Sequence, residues 1–495
     1  MILDSRGDPV TSNPKLVHGS SENRMRGPQY RLENKEIEDL ISQRDRDVIV
    51  SLCVRLFFNM GPFKSIVDQK STYSVGQAYL PTYKGPDTEA GKEVAKWLVN
   101  VFFKNLDLRA GLWDWWQNLE GVSKEMDVRG DHFTLLTTDD TGTLPRIKII
   151  PAHAVRTKHA DRKSNSKYTV KDGPYAGSKI AHGIIYDEDG KVLAYRVSTG
   201  CKDDEYEDID AASIIHQFDP TLCDDGRGLP AASHSLEDLK HILQSTEYER
   251  SRQLILSSIG LFIENESGGP DSDPASYFSG ATSTQTNGEL TTQEISPQIW
   301  YAEAGNGSKI TQLKHETGGD SFESFQDRMI RSFVAGTNWS YSLTWKPTGQ
   351  GTAERGEILR ARKAILTRQK RLDDWALRVI TYAYAVANKA GIVPDLEEPF
   401  NWEFTRPPRL SVDDGREHKM LLEGFRLGSR TLTDLLEFEG RTFEEHTDRR
   451  TYEEVYRQNK IAEAEAANEG VKIDPRALVT FQSNQPEQVE QSSNE

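Results

Sequence analysis

Three successive stretches, Ile214-Ile-His-Gln-Phe218, Arg227-Gly-Leu-Pro230 and the run that opens Ser235-Leu-Glu-Asp-Leu239, decide the fold of this 495-residue chain. Residues 213–218 are mostly apolar and β-favouring, and read as a strand. The Gly and Pro behind Arg227 mark a turn. Ser235 can cap a helix with Asp238 at the third helical position. Leu236, Leu239, Ile242, Leu243, Leu254, Ile255, Ile259, Phe262 and Ile263 mark its apolar side, up to Gly268-Gly269-Pro270. The chain changes here from strands to long helices, so each side can be read by itself.

On the N-terminal side the alternating period predicts strands at 133–138, 146–151, 182–187 and 192–198. The run 183–197 has two apolar arms around Asp189-Gly190, which supplies the positive-φ residues of a tight hairpin. Upstream, Ile37, Leu40, Ile41, Val48, Leu52 and Leu56 predict a helix over 36–58, broken by Gly61-Pro62; Val94, Leu98 and Phe102 predict another over 89–106, followed by Trp113, Trp115 and Trp116. Residues 1–35 read as a loose polar arm.

On the C-terminal side, 266–297 is rich in Ser, Thr and Gly. It is either a flexible linker or an extended loop that orders against a neighbouring subunit. A helix over 322–335 is followed by a break, Gly336–Gly351, which holds Trp339, Tyr341, Trp345, Lys346 and Pro347. A long helix over 353–390 then shows Ile358, Ile365, Leu372 and Val379 every seven residues, with Leu359, Leu366 and Trp375 beside them. It carries nine basic residues (Arg355, Arg360, Arg362, Lys363, Arg368, Lys370, Arg371, Arg378, Lys389) against four acidic ones. A strand at 400–405 and polar helices at 413–427, 430–438 and 443–468 follow, and the Gln/Ser/Glu-rich end reads as disordered.

Lys and Arg total 61 and Asp and Glu 77, a net charge of −16 with mean hydropathy −0.64. A general DNA-coating surface needs the opposite sign. The most apolar stretches, 48–58 and 375–387, are short and contain Arg55 and Arg378, so no membrane partner is expected. Three separated cysteines, Cys53, Cys201 and Cys223, fit free thiols in a reducing compartment. No Gly-x4-Gly-Lys-Ser/Thr loop, His-Glu-x-x-His or Gly-x-Ser-x-Gly is present, and no cofactor is expected. Asp203–Asp210 could hold a hard cation but lacks the glycine and closing Glu of a calcium loop, and a solvated acidic loop is the plainer reading. Cys201, His216 and Cys223 fit no zinc spacing, so His216 reads as structural. The tryptophan group reads as packing rather than as a stacking site for sugars or bases. The basic helix has three readings: a solvated face, pairing with acidic neighbouring subunits, or sparse contacts to DNA. Pairing is preferred because it uses the acidic surplus.

The ordered series of segments resembles the lambda family of phage portal proteins. The resemblance rests on Arg55-Leu-Phe-Phe-Asn59 with Ile66-Val-Asp68, Trp113-Asp-Trp-Trp116, Gly130-Asp-His-Phe133, Pro145–Pro151, the 183–197 hairpin and, most specifically, the strand and Arg-Gly-x-Pro turn quoted first. It continues through 322–336, Tyr341-Ser-Leu343, Arg355, Pro407-Pro408, Val412-Asp413, Gly428, Thr431 and Gly440. His132 replaces the usual Glu, Lys191 the usual Arg, and Ala353-Glu354 the usual Ser-Ser.

The resemblance implies an α+β portal fold with a β-rich wing, long stem helices, a small clip and a C-terminal helical crown. Laid on this chain, it gives an arm 1–35, wing 36–232, stem helix 233–265, clip 266–319, second stem helix 320–336, tunnel loop 337–352, long helix and second wing part 353–411, crown 412–470 and tail 471–495. It implies a homododecameric ring at one capsid vertex, assembled in the host cytoplasm. The ring would be the channel for double-stranded DNA in packaging and ejection. Its partners would be the major capsid protein, the terminase large subunit and then head-tail adaptor or tail proteins. Asn338, Trp339, Tyr341, Trp345, Lys346, Thr348 and Gln350 are the expected DNA-facing loop residues, with Lys346 a sparse phosphate contact. Arg355, Arg360, Arg362, Arg368 and Arg371 are the expected subunit-interface residues. No catalytic or metal residue is expected, and the alternative function is a packaging ATPase-nuclease.

Overall fold

The computed structural model describes residues 41–76, 79–109, 111–157, 167–171, 173–199, 205–223, 225–258, 262–265, 308–311, 319–347, 351–411, 414–438, 440–441 and 443–467. The expected arm, the tail and nearly all of the expected clip lie outside these residues.

Helix α1 (Gln43–Asn59) is capped by Ser42, whose hydroxyl accepts the Asp45 N–H at 3.2 Å. Gly61-Pro62 does end it, but starts a second helix at once, α2 (Gly61–Val75), bent by 92° from the first. Proline in a first turn forfeits no hydrogen bond, so a residue pair read as a break is instead a helix start. After β1 (Pro81–Tyr83), α3 (Thr88–Trp97) runs into one π-helical turn, Leu98–Phe102. Helix α4 (Trp115–Val128) opens with a capping box between Asp114 and Gln117.

The β region follows: β2 (Asp131–Thr138), β3 (Pro145–Ile150), β4 (Lys167–Thr169), β5 (Lys179–Ala181), β6 (Ile184–Tyr186), β7 (Val192–Ser198), β8 (Tyr206–Asp210) and β9 (Ile214–Phe218). It forms two antiparallel sheets. One is β3-β2-β9, and the other is the meander β4-β5-β6-β7-β8. The hairpin between β6 and β7 is where expected, but only Gly190 of its tip pair has positive φ (82°). The Asp187 carboxylate, accepting from the N–H groups of Asp189 and Lys191 at 3.0 and 2.8 Å, closes a longer turn.

Helix α5 (Leu236–Ser258) is shorter than expected. Phe262 and Ile263, read as its last turn, lie in β10 (Phe262–Asn265), which pairs with β11 (Ser308–Thr311). Gly260 weakens a helix, and aromatic and β-branched residues behind it suit a strand. Then come α6 (Gly319–Gly336), the short α7 (Tyr341–Thr344) and α8 (Gly351–Lys389). Strand β12 (Trp402–Phe404) returns to pair with β1, and α9 (Asp414–Arg426), α10 (Leu432–Phe438) and α11 (Phe443–Ala467) complete the described chain.

Helix α8 spans 39 residues and connects two cores. Ala361 and Ile365 pack with Phe63, Leu236, Phe333 and Trp339. Leu372, Trp375, Val379, Ile380 and Ala383 pack with Phe103, Trp115 and Leu119. The heptad series Ile358, Ile365, Leu372 and Val379 is buried throughout. Leu359 and Leu366 are not: they are 54% and 63% exposed. Among the described residues no single helix is long and apolar enough to cross a membrane.

Candidate functional site

The turn after β9 owes its sequence to a buried charge hub. Asp131, the first residue of β2, accepts from the Arg227 guanidinium at 2.9 and 2.8 Å, from the Gly228 N–H at 2.7 Å and from His216 Nε2 at 3.1 Å. Arg227 spends its other donors on the carbonyls of Val155, His182 and Ala152 at 2.7, 3.0 and 3.1 Å. Arg46 of α1 joins through the Gly228 carbonyl and stands 3.8 Å from Asp131. Burial pushes the Asp131 carboxyl up, but Arg227, His216 and Arg46 outweigh it and hold it well below the usual carboxylate range. Only glycine fits beside it, because a Cβ on Gly228 would stand 2.1 Å from the Gly130 carbonyl oxygen. The His216 ring stacks on Phe133 and Phe218 at 4.2 and 4.7 Å, which is the structural role expected of it.

A second hub sits on the turn of helix before β2. Asp127 is bound by Lys70 of α2 at 2.9 Å and by Arg368 of α8 at 2.5 Å, and Arg368 also meets Asp219 at 2.9 Å. Burial raises the Asp127 carboxyl, yet the two cations bring it below its ordinary value; burial and the Arg368 charge lower Lys70. This corrects the expectation for Arg368. It is 1% exposed and joins α8 to its own chain, so no neighbouring subunit can reach it. The heptad stripe leaves i+3 positions such as 368 on the edge of the buried face, where an arginine needs an internal carboxylate. Arg371 leans on the same Asp219 at 3.8 Å. Arg362 is held by Glu417 of α9 at 2.7 Å, and by the Leu410 carbonyl. Arg360 pairs with Glu357 at 3.3 Å, one turn back. What α8 presents outward is the stripe Arg355, Leu359, Lys363, Leu366 and Lys370, spaced by three and four residues and exposed throughout.

The 337–352 segment divides in two. Asn338, exposed with φ 54°, turns the chain inward. Trp339 is 0% exposed, packed in the core with Phe63 and Phe333, its indole N–H 3.4 Å from Gln69 Oε1. Ser340 caps α7, and Tyr341 is buried beneath Arg331, whose guanidinium lies 4.6 Å from its ring. Trp339 and Tyr341 therefore anchor the segment and do not face a channel, contrary to the sequence expectation. Trp345 and Lys346 do lie at the surface. Trp345 donates its indole N–H to Asp327 Oδ1 at 2.9 Å, and the Lys346 ammonium lies 2.6 Å from Asp327 Oδ2 and 3.2 Å from Glu323 Oε1. Hydrogen bonds to these carboxylates, Asp327 first, hold the lysine above its ordinary pKa. Thr348 and Gln350 lie outside the described residues.

The remaining candidates are spent within the fold. Asp208 is bidentate to Arg196 at 2.7 and 2.8 Å, and Asp210 accepts from the Ala212 N–H at 2.7 Å. Trp115 stacks on Phe103 at 4.3 Å. Among the described residues no three His, Cys, Asp or Glu side chains come together to hold a metal; Cys201, Asp203 and Asp204 lie outside those residues.

Compared with known families, residues 22–369, more than half of the chain, match the model for the phage portal protein, lambda family. The chain belongs to the lambda family of phage portal proteins. No curated protein matches it. Solved structures similar to it include the neck of an empty gene transfer agent (GTA) particle computed with C6 symmetry (12% identity, TM-score 0.46, 77% of this chain and 90% of that chain). Another is the virion of a native GTA particle (11%, TM-score 0.45, 78% and 91%). A third is an HK97-family phage portal protein from Corynebacterium diphtheriae (10%, TM-score 0.32, 63% and 87%). The portal-family match takes in both hubs and the 337–352 segment and ends at Gln369, one residue past Arg368. Of the hub residues, sequence reading noted Arg227, Gly228, Asp131 and His216 as parts of motifs. It missed Arg46, Lys70 and Asp127 altogether. Their one local signal is a charged residue on a helix beside buried apolar neighbours.

Proposed function

We propose that this portal-family chain assembles as a dodecameric ring at one vertex of a capsid and conducts double-stranded DNA during packaging and ejection. It would assemble in the host cytoplasm against the major capsid protein. It would then dock the terminase large subunit, and later a head-tail adaptor or tail protein. In this reading it is a conduit and not an enzyme. The division into wing, stem, clip, tunnel loop and crown follows the boundaries given above. The stem helices are now α5 and α6, and the tunnel loop narrows to the part beyond Tyr341.

The observation that carries the reading is the family match over 22–369. The outer stripe of α8 supports self-assembly. Two exposed leucines flanked by Arg355, Lys363 and Lys370 suit an acidic, partly apolar protein surface better than bare water. A second copy of a chain with net charge −16 is such a surface. A ring is a closed, head-to-tail arrangement of such contacts. An acidic subunit repeated around a channel also repels phosphate, which favours passage over retention.

The test is the native mass of the purified full chain with negative-stain images of the same sample. Rings of about a dozen copies with a central hole support the proposal. A monomer that hydrolyses ATP or cleaves DNA would refute it and favour the packaging enzyme.

A further inference from the structure

The surface half of the loop carries one cation, and the protein neutralises it with its own carboxylates. Glu323 and Asp327 are four residues apart on α6, so they share a face of that helix. Both reach Lys346, at 3.2 and 2.6 Å, and Asp327 also takes the Trp345 indole N–H. Asp327 is the better buried of the two, its side chain 17% exposed against 69% for Glu323. At Lys346 itself one ammonium faces two carboxylates. Without them, a lysine at this position would offer phosphate a donor of full charge. Each such contact adds affinity through counterion release. Repeated in every subunit, it would add up to a grip on the duplex.

We propose that Glu323 and Asp327 mask Lys346 and Trp345, so that the loop lies beside passing DNA without holding it. The proposal rests on reading this segment as the lining of a DNA channel. It reverses the expectation that Lys346 is a phosphate contact. The lysine serves as a strap between the loop and α6, and its charge is consumed there. A phosphate arriving at Lys346 has to displace two carboxylates already in contact.

The experiment uses the full chain and a linear duplex fragment of arbitrary sequence, with retention measured from 50 to 200 mM salt. Four proteins are compared: wild type, Glu323→Gln/Asp327→Asn, Lys346→Gln, and the triple variant. Asn at 327 keeps an acceptor for Trp345, so the loop can keep its place. The mask predicts that the double variant binds DNA more tightly. Its plot of log affinity against log salt should steepen by about 0.9 for each lysine that reaches a phosphate, or about threefold per lysine over this salt range. Adding Lys346→Gln should remove the gain. A double variant that binds no better than wild type overturns the mask. So does a gain that survives Lys346→Gln, which would reflect only the loss of negative charge. Native mass is read on the same four samples: wild type that never closes into rings counts against the channel reading. Rings in all four without a Lys346-dependent gain sink the mask alone.

Discussion

His132 should make this protein acid-sensitive in a window where its carboxylates do not. The residue is 2% exposed on β2, and its Nε2 lies 2.8 Å from Thr134 Oγ1. That hydroxyl also accepts the Trp375 indole N–H at 2.9 Å. The hydroxyl proton is therefore free to point at a bare Nε2, so the neutral ring is satisfied in its buried place. Burial, with the His216 charge nearby, pushes the His132 pKa down from 6.5 to about 3. A base lowered in this way stays neutral in the folded protein while the unfolded chain takes up a proton. The stability it contributes is complete above the unfolded value and is lost as pH falls below about 6.5 toward the folded value. From pH 7.5 to pH 5 the loss is about 2 kcal/mol for this group alone. His216, lowered by burial despite Asp131, and the partly shielded His153 act in the same direction, so the wild-type loss should exceed that figure. Asp131 and Asp127 have lowered folded values, so their contribution persists through this window and fails only below about pH 4. The perturbation is His132→Gln, whose side-chain carbonyl can still accept from Thr134 and does not titrate. Urea unfolding at pH 7.5 and pH 5, at one protein concentration, should show the variant losing about 2 kcal/mol less than wild type. Equal losses in the two proteins would refute the reasoning.

Arg227→Met leaves Asp131 buried without the guanidinium that holds its Oδ2 and should destabilise by about 3–5 kcal/mol, read from the urea midpoint at pH 7.5. Gly228→Ala drives a Cβ to 2.1 Å from the Gly130 carbonyl oxygen and should prevent soluble expression. Gly142→Ala, with nothing within 4 Å and only a φ of +71° to bear, should cost about 1–2 kcal/mol. Lys363→Glu with Lys370→Glu should abolish rings by native mass, while far-UV circular dichroism shows subunit stability within about 0.5 kcal/mol of wild type. Intact rings would remove α8 from the interface.

Much of this architecture was readable because it is periodic. The heptad on α8 predicted a 38-residue helix where 39 are found, and β7 and β9 fall within a residue of expectation, since a sheet facing a core enforces alternation. The failures have local causes. Gly61-Pro62 was read as a stop because proline both ends and starts helices. Phe262 and Ile263 fit a helical face as well as a strand, and a distant pairing, Phe262 with Thr311 and Ile263 with Ile310, decided between them. Trp339 and Tyr341 looked like exposed aromatics of a Gly-bounded loop. The positive φ of Asn338, which turns them into the core, is not written in any periodicity. The wrong assignment of Arg368 has the same root: a run of cations on a helix does not say which one finds an internal carboxylate.

The Arg-Gly-Leu-Pro turn was the most recognisable motif in the chain, and the structure gives it a physical reason. Asp127 and Asp131 bracket the crossing from α4 to β2, with Gly130 (φ 87°) between them. On one carboxylate converge Lys70 and Arg368, and on the other Arg46, Arg227 and His216. The backbone of Ala231, just past the turn, also donates to the Asp127 carbonyl at 2.8 Å. Five residues therefore gather α1, α2, α8 and both ends of the β9 connection. Burying so many charges gains little stability over a well-packed apolar junction, because desolvation consumes most of the attraction. Its advantage is selectivity: each buried aspartate needs its own set of cations in place, and a misplacement leaves a buried charge unpaired. A slip of the α4–β2 crossing by one residue would strand both aspartates at once. That steep penalty fixes the angle at which α8 crosses the sheets, and α8 carries both the outer stripe and, through the Glu357 carboxylate that accepts the Tyr341 N–H at 2.8 Å, the root of the loop.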